Sequence, residues 1–215
     1  MPRVKISAPY REVIQQIDSF IRIDKNNQQR FGSTSTKKPE HNFSTQQFLL
    51  LTEALFISAY TQFEAFLEDV FLLYTLEKPT ISNIRPKSYL SPRDFDHAFD
   101  LIKSSMPHLD WTDPDTVIKR AETYLKDGGP IKNVLAGNRV LLNNMKRIRN
   151  HIAHNSRESL KQYKSVLLDH YKIVPLKIPR PGEFLLNMVP QSNPRIHYLL
   201  HYLQNIKRIA TEITR

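Results

Sequence analysis

The residues best suited to chemistry lie in the segment NNMKRIRNHIAHNS, which spans residues 143–156. It contains Arg149, Asn150 and His154 in the order R-N-x-x-x-H. A neutral imidazole can take the proton of a 2′-hydroxyl or protonate a leaving oxygen, and a guanidinium can stabilise charge on a phosphate. On a helix, Asn150 would lie one turn before His154, where its amide could orient the imidazole or bind a phosphate oxygen. These residue types favour phosphodiester cleavage that requires no metal ion.

The charge of the chain favours a polyanionic partner. Lys and Arg number 31 against 21 Asp and Glu, a net charge of +10, and cations that contact phosphates dominate nucleic-acid affinity. Residues 139–164 hold seven cations and one acid, whereas residues 44–138 hold nine cations and thirteen acids. Around the motif we expect four further residues to bind substrate: Lys146, Arg147, His151 and Arg157. A solvated basic helix face would produce the same charge pattern.

The composition fits one domain of 215 residues, a length that can bury a core without crosslinks. The absence of cysteine excludes disulfides, thiolate nucleophiles and cysteine-ligated zinc. The chain shows no signal-peptide pattern and no apolar run of membrane length, so we expect a cytoplasmic protein. It also has no P-loop and no dinucleotide-binding motif, and we expect no cofactor.

Hydrophobic periodicity and the small number of glycines predict an all-α fold. A first helix is expected over residues 9–24, followed by a polar loop over 26–43 that lacks periodicity and is expected to be mobile. Ser44 and Gln47 form an S-x-x-Q capping box, which predicts the start of a long helix. Lys78 and Pro79 should end that helix, because proline and the residue before it resist helix continuation.

The second half of the chain is predicted to hold an insertion and three more main helices. Residues 79–130 are rich in proline and acids and are interpreted as an insertion with short helices. A helix over 138–154 carries the motif, and another follows to about residue 171. The segment 174–194 is punctuated by prolines and has room for a short hairpin, and a C-terminal helix is expected to start at Asn193-Pro194. We treat residues 1–215 as a single domain.

The motif RNHIAH and the long upstream helix ALFISAYTQFEAFLEDVF together resemble the HEPN superfamily. Many HEPN proteins are helical bundles that act as metal-independent ribonucleases and carry an R-x4-6-H motif. The resemblance implies that Arg149 and His154 are the catalytic pair and that Asn150 is an accessory polar residue. It also implies RNA as substrate, a role as a toxin or phage-defence effector, and an antitoxin or other regulatory protein as a further partner. Ser156 stands where one toxin group of the superfamily has a tyrosine, which sets this chain apart from that group.

Helix geometry indicates that a single chain cannot easily bring the two motif residues together. At 100° per residue, Arg149 and His154 project about 140° apart on a straight helix. Either the helix distorts near Ala153, or a second chain contributes to the site. The resemblance implies the second arrangement, in which two motif helices meet across a two-fold axis, and we predict a homodimer.

Other interpretations of the sequence stay open. From the numbers of Arg and His in the chain, roughly half an R-x4-H match is expected by chance. Arg195 and His201 also form a similar R-x5-H. The chain could instead be a non-catalytic HEPN-like module that binds RNA or protein, or an unrelated bundle in which Arg149 and His154 cap a helix end. His197 and His201 have the i, i+4 spacing of metal ligands, but no third ligand is evident, and an exposed pair is favoured.

Overall fold

A computed structural model describes residues 5–32, 44–105, 111 and 113–215. Within these residues the chain forms nine α-helices and no strand, apart from two isolated antiparallel bridges. The all-α prediction is therefore confirmed. The helices are α1 (Ser7–Gly32), α2 (Thr45–Thr75), α3 (Phe95–Ser105), α4 (Pro114–Tyr124), α5 (Gly129–Gly137), α6 (Arg139–His154), α7 (Arg157–Tyr171), α8 (Pro181–Leu186) and α9 (Tyr198–Thr214). None of them has the length and apolar character that crossing a bilayer requires.

The chain folds into two compact units, each assembled from separate segments. The first unit comprises Met1–Gln15, Thr61–Lys146 and Ile206–Arg215, and the second comprises Gln16–Tyr60 and Arg147–Asn205. The boundary between the units falls within four long helices, α1, α2, α6 and α9. One part of each helix belongs to the first unit and the other part to the second. The described residues of the proline-rich segment 79–130 belong to the first unit.

The first unit joins the end of α2 to the end of α9. The Tyr74 hydroxyl donates a hydrogen bond to the Ile213 carbonyl oxygen at 2.6 Å, and the Thr80 hydroxyl donates to the Arg215 carbonyl oxygen at 2.8 Å. The buried Trp111 packs against Phe71, with ring centroids 5.2 Å apart. These contacts anchor the proline-rich segment to the helices that precede and follow it in this unit.

An aromatic core holds the second unit together. Phe184 of α8 stacks on Tyr198 of α9, with ring centroids 4.6 Å apart, and meets Tyr163 of α7 edge-on. Tyr202 meets Phe56 of α2 edge-on at 5.6 Å. Such ring pairs add to the stabilisation that burial alone provides. The C-terminal end of α6 is packed in this unit, because Ile148 is fully buried there.

Helix starts that depend on local caps agree with the sequence. The Ser44 N–H donates to Gln47 Oε1 at 2.8 Å and the Gln47 N–H donates to Ser44 Oγ at 3.2 Å, which confirms the capping box at the start of α2. The motif helix spans Arg139–His154, one residue shorter than predicted at its start.

Three segments differ from the sequence prediction. Helix α1 continues to Gly32, so the loop predicted from residue 26 is wrong over 26–32, while 33–43 lie outside the described residues. Asp24 at the end of the predicted helix and Asn27 in the extension are buried although they are polar. The apolar periodicity that predicts a helix is therefore interrupted here. Residues 174–194 hold the short helix α8 and one side of an isolated bridge from Met188 to His197 instead of a hairpin. That bridge delays the start of α9 to Tyr198.

Candidate functional site

The turn between α6 and α7 fixes the position of the motif. His154 is the last residue of α6, and Asn155 follows with a φ of 42°, a left-handed conformation that asparagine tolerates well. The Asn155 N–H donates to the His151 carbonyl oxygen at 3.0 Å. Ser156 then starts α7 through a capping box with Ser159. The motif therefore ends at a sharply defined helix terminus.

The motif residues Arg149, Asn150 and His154 have different surroundings. Arg149 is half-buried, and its Nη1 donates to Asn150 Oδ1 at 3.0 Å. The His154 side chain is exposed and forms no hydrogen bond, ion pair or ring contact within the described part of the chain. Asn150 thus holds the guanidinium of Arg149 rather than the imidazole of His154. This leaves the His154 imidazole accessible to a ligand.

Two of the predicted substrate-binding cations flank the motif in the second unit. Arg147 is half-exposed, with Nη1 3.9 Å from Asp169 Oδ2. Arg157 is the first residue of α7 and is exposed. An exposed ion pair at this distance contributes little free energy.

The third predicted cation, Lys146, is engaged within the first unit. Its Nζ donates to Asp113 Oδ1 at 2.9 Å, and only 25% of its side chain is exposed. Asp113 also caps α4 by accepting from the Thr116 N–H at 3.0 Å. These hydrogen bonds, together with the charge of Lys146, outweigh burial and lower the pKa of Asp113. Lys146 thus fixes the start of α4 to α6.

His151 was predicted to bind substrate and lies almost buried in the second unit, with 8% of its surface exposed. Its ring stacks on Tyr163 with centroids 4.9 Å apart, and its Nδ1 lies 3.1 Å from Ser159 Oγ. Burial lowers the pKa of His151, and the charge of Glu53 opposes that shift in part. The imidazole is therefore neutral at pH 7.

His151 lines a pocket of about 420 Å³ in the second unit. Its other polar lining residues are Glu53 of α2, Asn155, and Arg180 just before α8. Five apolar residues form the rest of the wall: Ile152, Leu160, Ile178, Pro179 and Pro181. The volume falls within the range of roughly 300–1,000 Å³ that is typical of small-molecule sites.

Glu53 is the buried acid of this pocket, and sequence analysis did not single it out. Its side chain is 10% exposed, its Oε2 lies 3.2 Å from Arg180 Nη2, and its Oε1 accepts from the Gly182 N–H at 2.9 Å. The signals available were one acid in the apolar run LLLTEALFI and one arginine between two prolines. Neither signal indicates that the two side chains meet, because the pair is 127 residues apart in sequence.

Gly182 lets α8 approach α2 closely. A Cβ atom at this position would lie 2.8 Å from the Leu49 carbonyl oxygen and 3.1 Å from Glu53 Oε1. We expect Gly182→Ala to lower the free energy of unfolding by about 1–3 kcal/mol, because backbone atoms must shift to admit the methyl group. Urea denaturation measures the change. Gly137→Ala is the matched control, since nothing lies within 4 Å of its Cβ, and a Gly182→Ala variant as stable as this control would contradict the close approach.

The lowered pKa values of two histidines in the second unit predict that the free energy of unfolding decreases in acid. Burial is the largest cause of the lowered pKa of His151 and of His170, whose Nε2 lies 3.0 Å from the Tyr202 hydroxyl. Asp169 raises the pKa of His170, while His201 and Lys172 lower it further. Since each folded-state pKa lies below the ordinary value of about 6.5, the unfolded chain binds more protons below that pH. The free energy of unfolding should therefore decrease as the pH falls below about 6.5.

Urea denaturation at pH 7.5 and 5.5 tests this pH dependence. His170→Phe removes one of the two titrating groups while keeping an aromatic ring beside Phe184 and Tyr198. The variant should lose a smaller part of its stability between the two pH values than the unaltered protein. Equal losses in both proteins would contradict the role of His170.

The alternative motif and the histidine pair near α9 occupy a different environment. Arg195 is exposed before α9, and His201 is half-buried beside Asn205. His197 is buried, contrary to the expected exposed pair, and its Nε2 lies 3.1 Å from Asp24 Oδ2. In the described part of the chain, no group of three or more His, Asp or Glu side chains is arranged to hold a metal ion.

Comparison of the chain with protein-family models, curated proteins and solved structures gives no match.

Proposed function

We propose that the protein is a metal-independent endoribonuclease whose catalytic groups are His154 and Arg149. The observation that carries this proposal is the accessible His154 imidazole, which ends a helix that also bears the half-buried Arg149. The hydrogen bond from Arg149 Nη1 to Asn150 Oδ1 supports a positioning role for Asn150. The HEPN-like motif gives these residues their chemical assignment.

In the proposed reaction the 2′-oxygen of a ribose attacks the adjacent phosphorus. An imidazole accepts the 2′-hydroxyl proton, a P–O bond forms to the 2′-oxygen, and the P–O bond to the 5′-oxygen breaks. The 5′-oxygen leaves with a proton, which a protonated imidazole supplies. The guanidinium of Arg149 stabilises the charge that develops on the phosphate. The products are a 2′,3′-cyclic phosphate and a 5′-hydroxyl.

The divergence of the motif residues supports a composite site. A single imidazole can carry both proton transfers, since the His154 that accepts the 2′-hydroxyl proton can then supply a proton to the 5′-oxygen. Arg149 and His154, however, project about 140° apart from α6. Two copies related by a two-fold axis supply two imidazoles and two guanidinium groups to one cleft. The active species is accordingly a homodimer.

Arg147 and Arg157 are assigned to binding the RNA backbone beside this cleft, since both are exposed or half-exposed on either side of the motif. Lys146 has a lesser part in binding because Asp113 engages its ammonium group. The resemblance to HEPN proteins favours a toxin or phage-defence effector, restrained by an antitoxin or other regulatory protein.

The chemistry of the products tests the proposal. Purified protein is incubated with tRNA and with total RNA in excess EDTA, and the termini of the fragments are identified. Cleavage in EDTA that yields cyclic phosphate and 5′-hydroxyl ends supports the proposal. Binding of RNA without cleavage would replace it with a non-catalytic module, and neither binding nor cleavage would leave the motif as a structural helix end.

A further inference from the structure

The pocket beside the motif has no role in the cleavage reaction proposed above. Asn155, which follows His154 directly, lines it together with Glu53, His151 and Arg180. Charged side chains are almost never buried unless they are paired, and the carboxylate of Glu53 is nine-tenths buried against the guanidinium of Arg180. Removing one partner of a buried ion pair is costly. A pocket into which several polar groups converge is a candidate binding site.

The charges of the lining argue against a phosphate in this pocket. Glu53 and Arg180 balance each other at 3.2 Å, and the lowered pKa leaves His151 neutral at pH 7. A phosphate would meet the Glu53 carboxylate with no excess positive charge to attract it. The walls formed by Ile152, Leu160 and three further apolar residues suit an uncharged flat ring instead.

The polar groups suit a ring that carries hydrogen-bond donors on its edge. A carboxylate offers about four acceptor positions. Glu53 uses Oε1 for the Gly182 N–H and accepts from Arg180 Nη2 on both oxygens. One position therefore stays available on Oε2. Asn155 adds an amide, which can both donate and accept.

We infer that this pocket binds one nucleobase of the RNA strand, next to the phosphate held by the motif. The inference rests on the proposed function. It assigns Glu53 to accept a hydrogen bond from an exocyclic amino group, as acidic side chains do from cytosine N4. Cytosine, adenine and guanine carry such a group and uracil does not, so uracil should bind least well. Asn155 and His151 complete the recognition of the ring edge.

Binding of dinucleotides that resist cleavage tests the pocket independently of catalysis. Two series of 2′-O-methyl dinucleotides are titrated by calorimetry, one varying the first base and the other the second, with uracil at the fixed position. The protein should favour an amino-bearing base over uracil by about tenfold in one of the series. Glu53→Gln should abolish or reverse that preference, because a glutamine amide can donate to uracil O4. Glu68→Gln, the same substitution elsewhere on α2, should leave it intact.

Asn155→Gly provides a second variant that keeps the left-handed backbone at this position. It should weaken binding of the preferred dinucleotide about tenfold, whereas Lys172→Gly, at the left-handed residue that ends α7, should not. Equal affinity for all bases, or unchanged preference in both pocket variants, would overturn the inference even if RNA is cleaved. Base-selective binding that both variants lose would uphold the pocket even if no cleavage is found, and only the proposed function would then fail.

Discussion

Replacing His154 with alanine is expected to lower the rate of RNA cleavage in EDTA by about 10²–10⁴-fold, the usual contribution of a general acid or base. Arg149→Ala should lower the rate by about 10²–10³-fold, because it removes stabilisation of charge on the phosphate. The exposed His154 contacts no side chain through a hydrogen bond or ring in the described part of the chain, so its loss should leave the free energy of unfolding unchanged. Initial rates on labelled RNA and urea denaturation of the same preparations measure both effects.

The alternative motif supplies the controls for this experiment. Arg195→Ala, just before α9, and His201→Ala, on α9, change the same residue types and should retain activity. Arg149→Lys keeps the charge but loses the planar fork, so it should fall between the alanine variant and the unaltered protein. Activity lost in His201→Ala but kept in His154→Ala would move the site to α9. Lower stability in both motif variants without any effect on cleavage would assign the motif a structural role.

The motif helix could be predicted closely because its determinants are local. Its apolar residues recur at helical spacing, and Met145 and Ile148 are fully buried as this spacing requires. The following cap is also local, since the Ser159 N–H donates to Ser156 Oγ at 3.1 Å, three residues away. Interactions between residues three or four positions apart are visible in a sequence, and they fix where α6 ends and α7 begins.

The pocket could not be predicted because long-range contacts create it. Glu53 and Arg180 come from α2 and from the residue before α8, and each is unremarkable within its own segment. The depth of His151 has a similar cause, because its burial depends on the stacking of Tyr163 from the next helix. Periodicity places His151 near the edge of the apolar face of α6 but gives no indication of a cavity beside it.

Charge along the sequence also overstated the basic surface in the first unit. Lys146 meets Asp113 at 2.9 Å, and Arg139 meets Asp115 at 2.6 Å. Both acids belong to the proline-rich segment, which carries a net negative charge. They lie more than 20 residues before the cations that they contact. The excess of cations over acids between residues 139 and 164 is therefore partly balanced by residues from outside that range. Among the four predicted substrate-binding residues, Lys146 is therefore a weaker candidate than the exposed Arg157 of the second unit.

Mixing the Arg149→Ala and His154→Ala proteins is expected to restore cleavage if the site is composite. In an equal mixture that exchanges subunits freely, about half of the dimers are heterodimers. Each heterodimer holds one intact Arg149 and one intact His154, on opposite subunits. The rate should exceed that of either variant alone by more than about tenfold, since each variant lacks a group worth about 10²-fold or more. The rate on labelled RNA is followed while the proportion of the two variants is changed.

The matched control mixes His154→Ala protein with the double variant Arg149→Ala/His154→Ala, which supplies no imidazole to any dimer and should remain inactive. Sedimentation at micromolar concentration establishes whether the chain dimerises, and tagged subunits show whether the dimers exchange. Exchange without restored activity would overturn the composite site. A monomer that cleaves RNA would do the same, because one chain would then have to bring together two side chains that project about 140° apart from α6. Restoration in the variant mixture and not in the control would require that Arg149 and His154 act across two subunits.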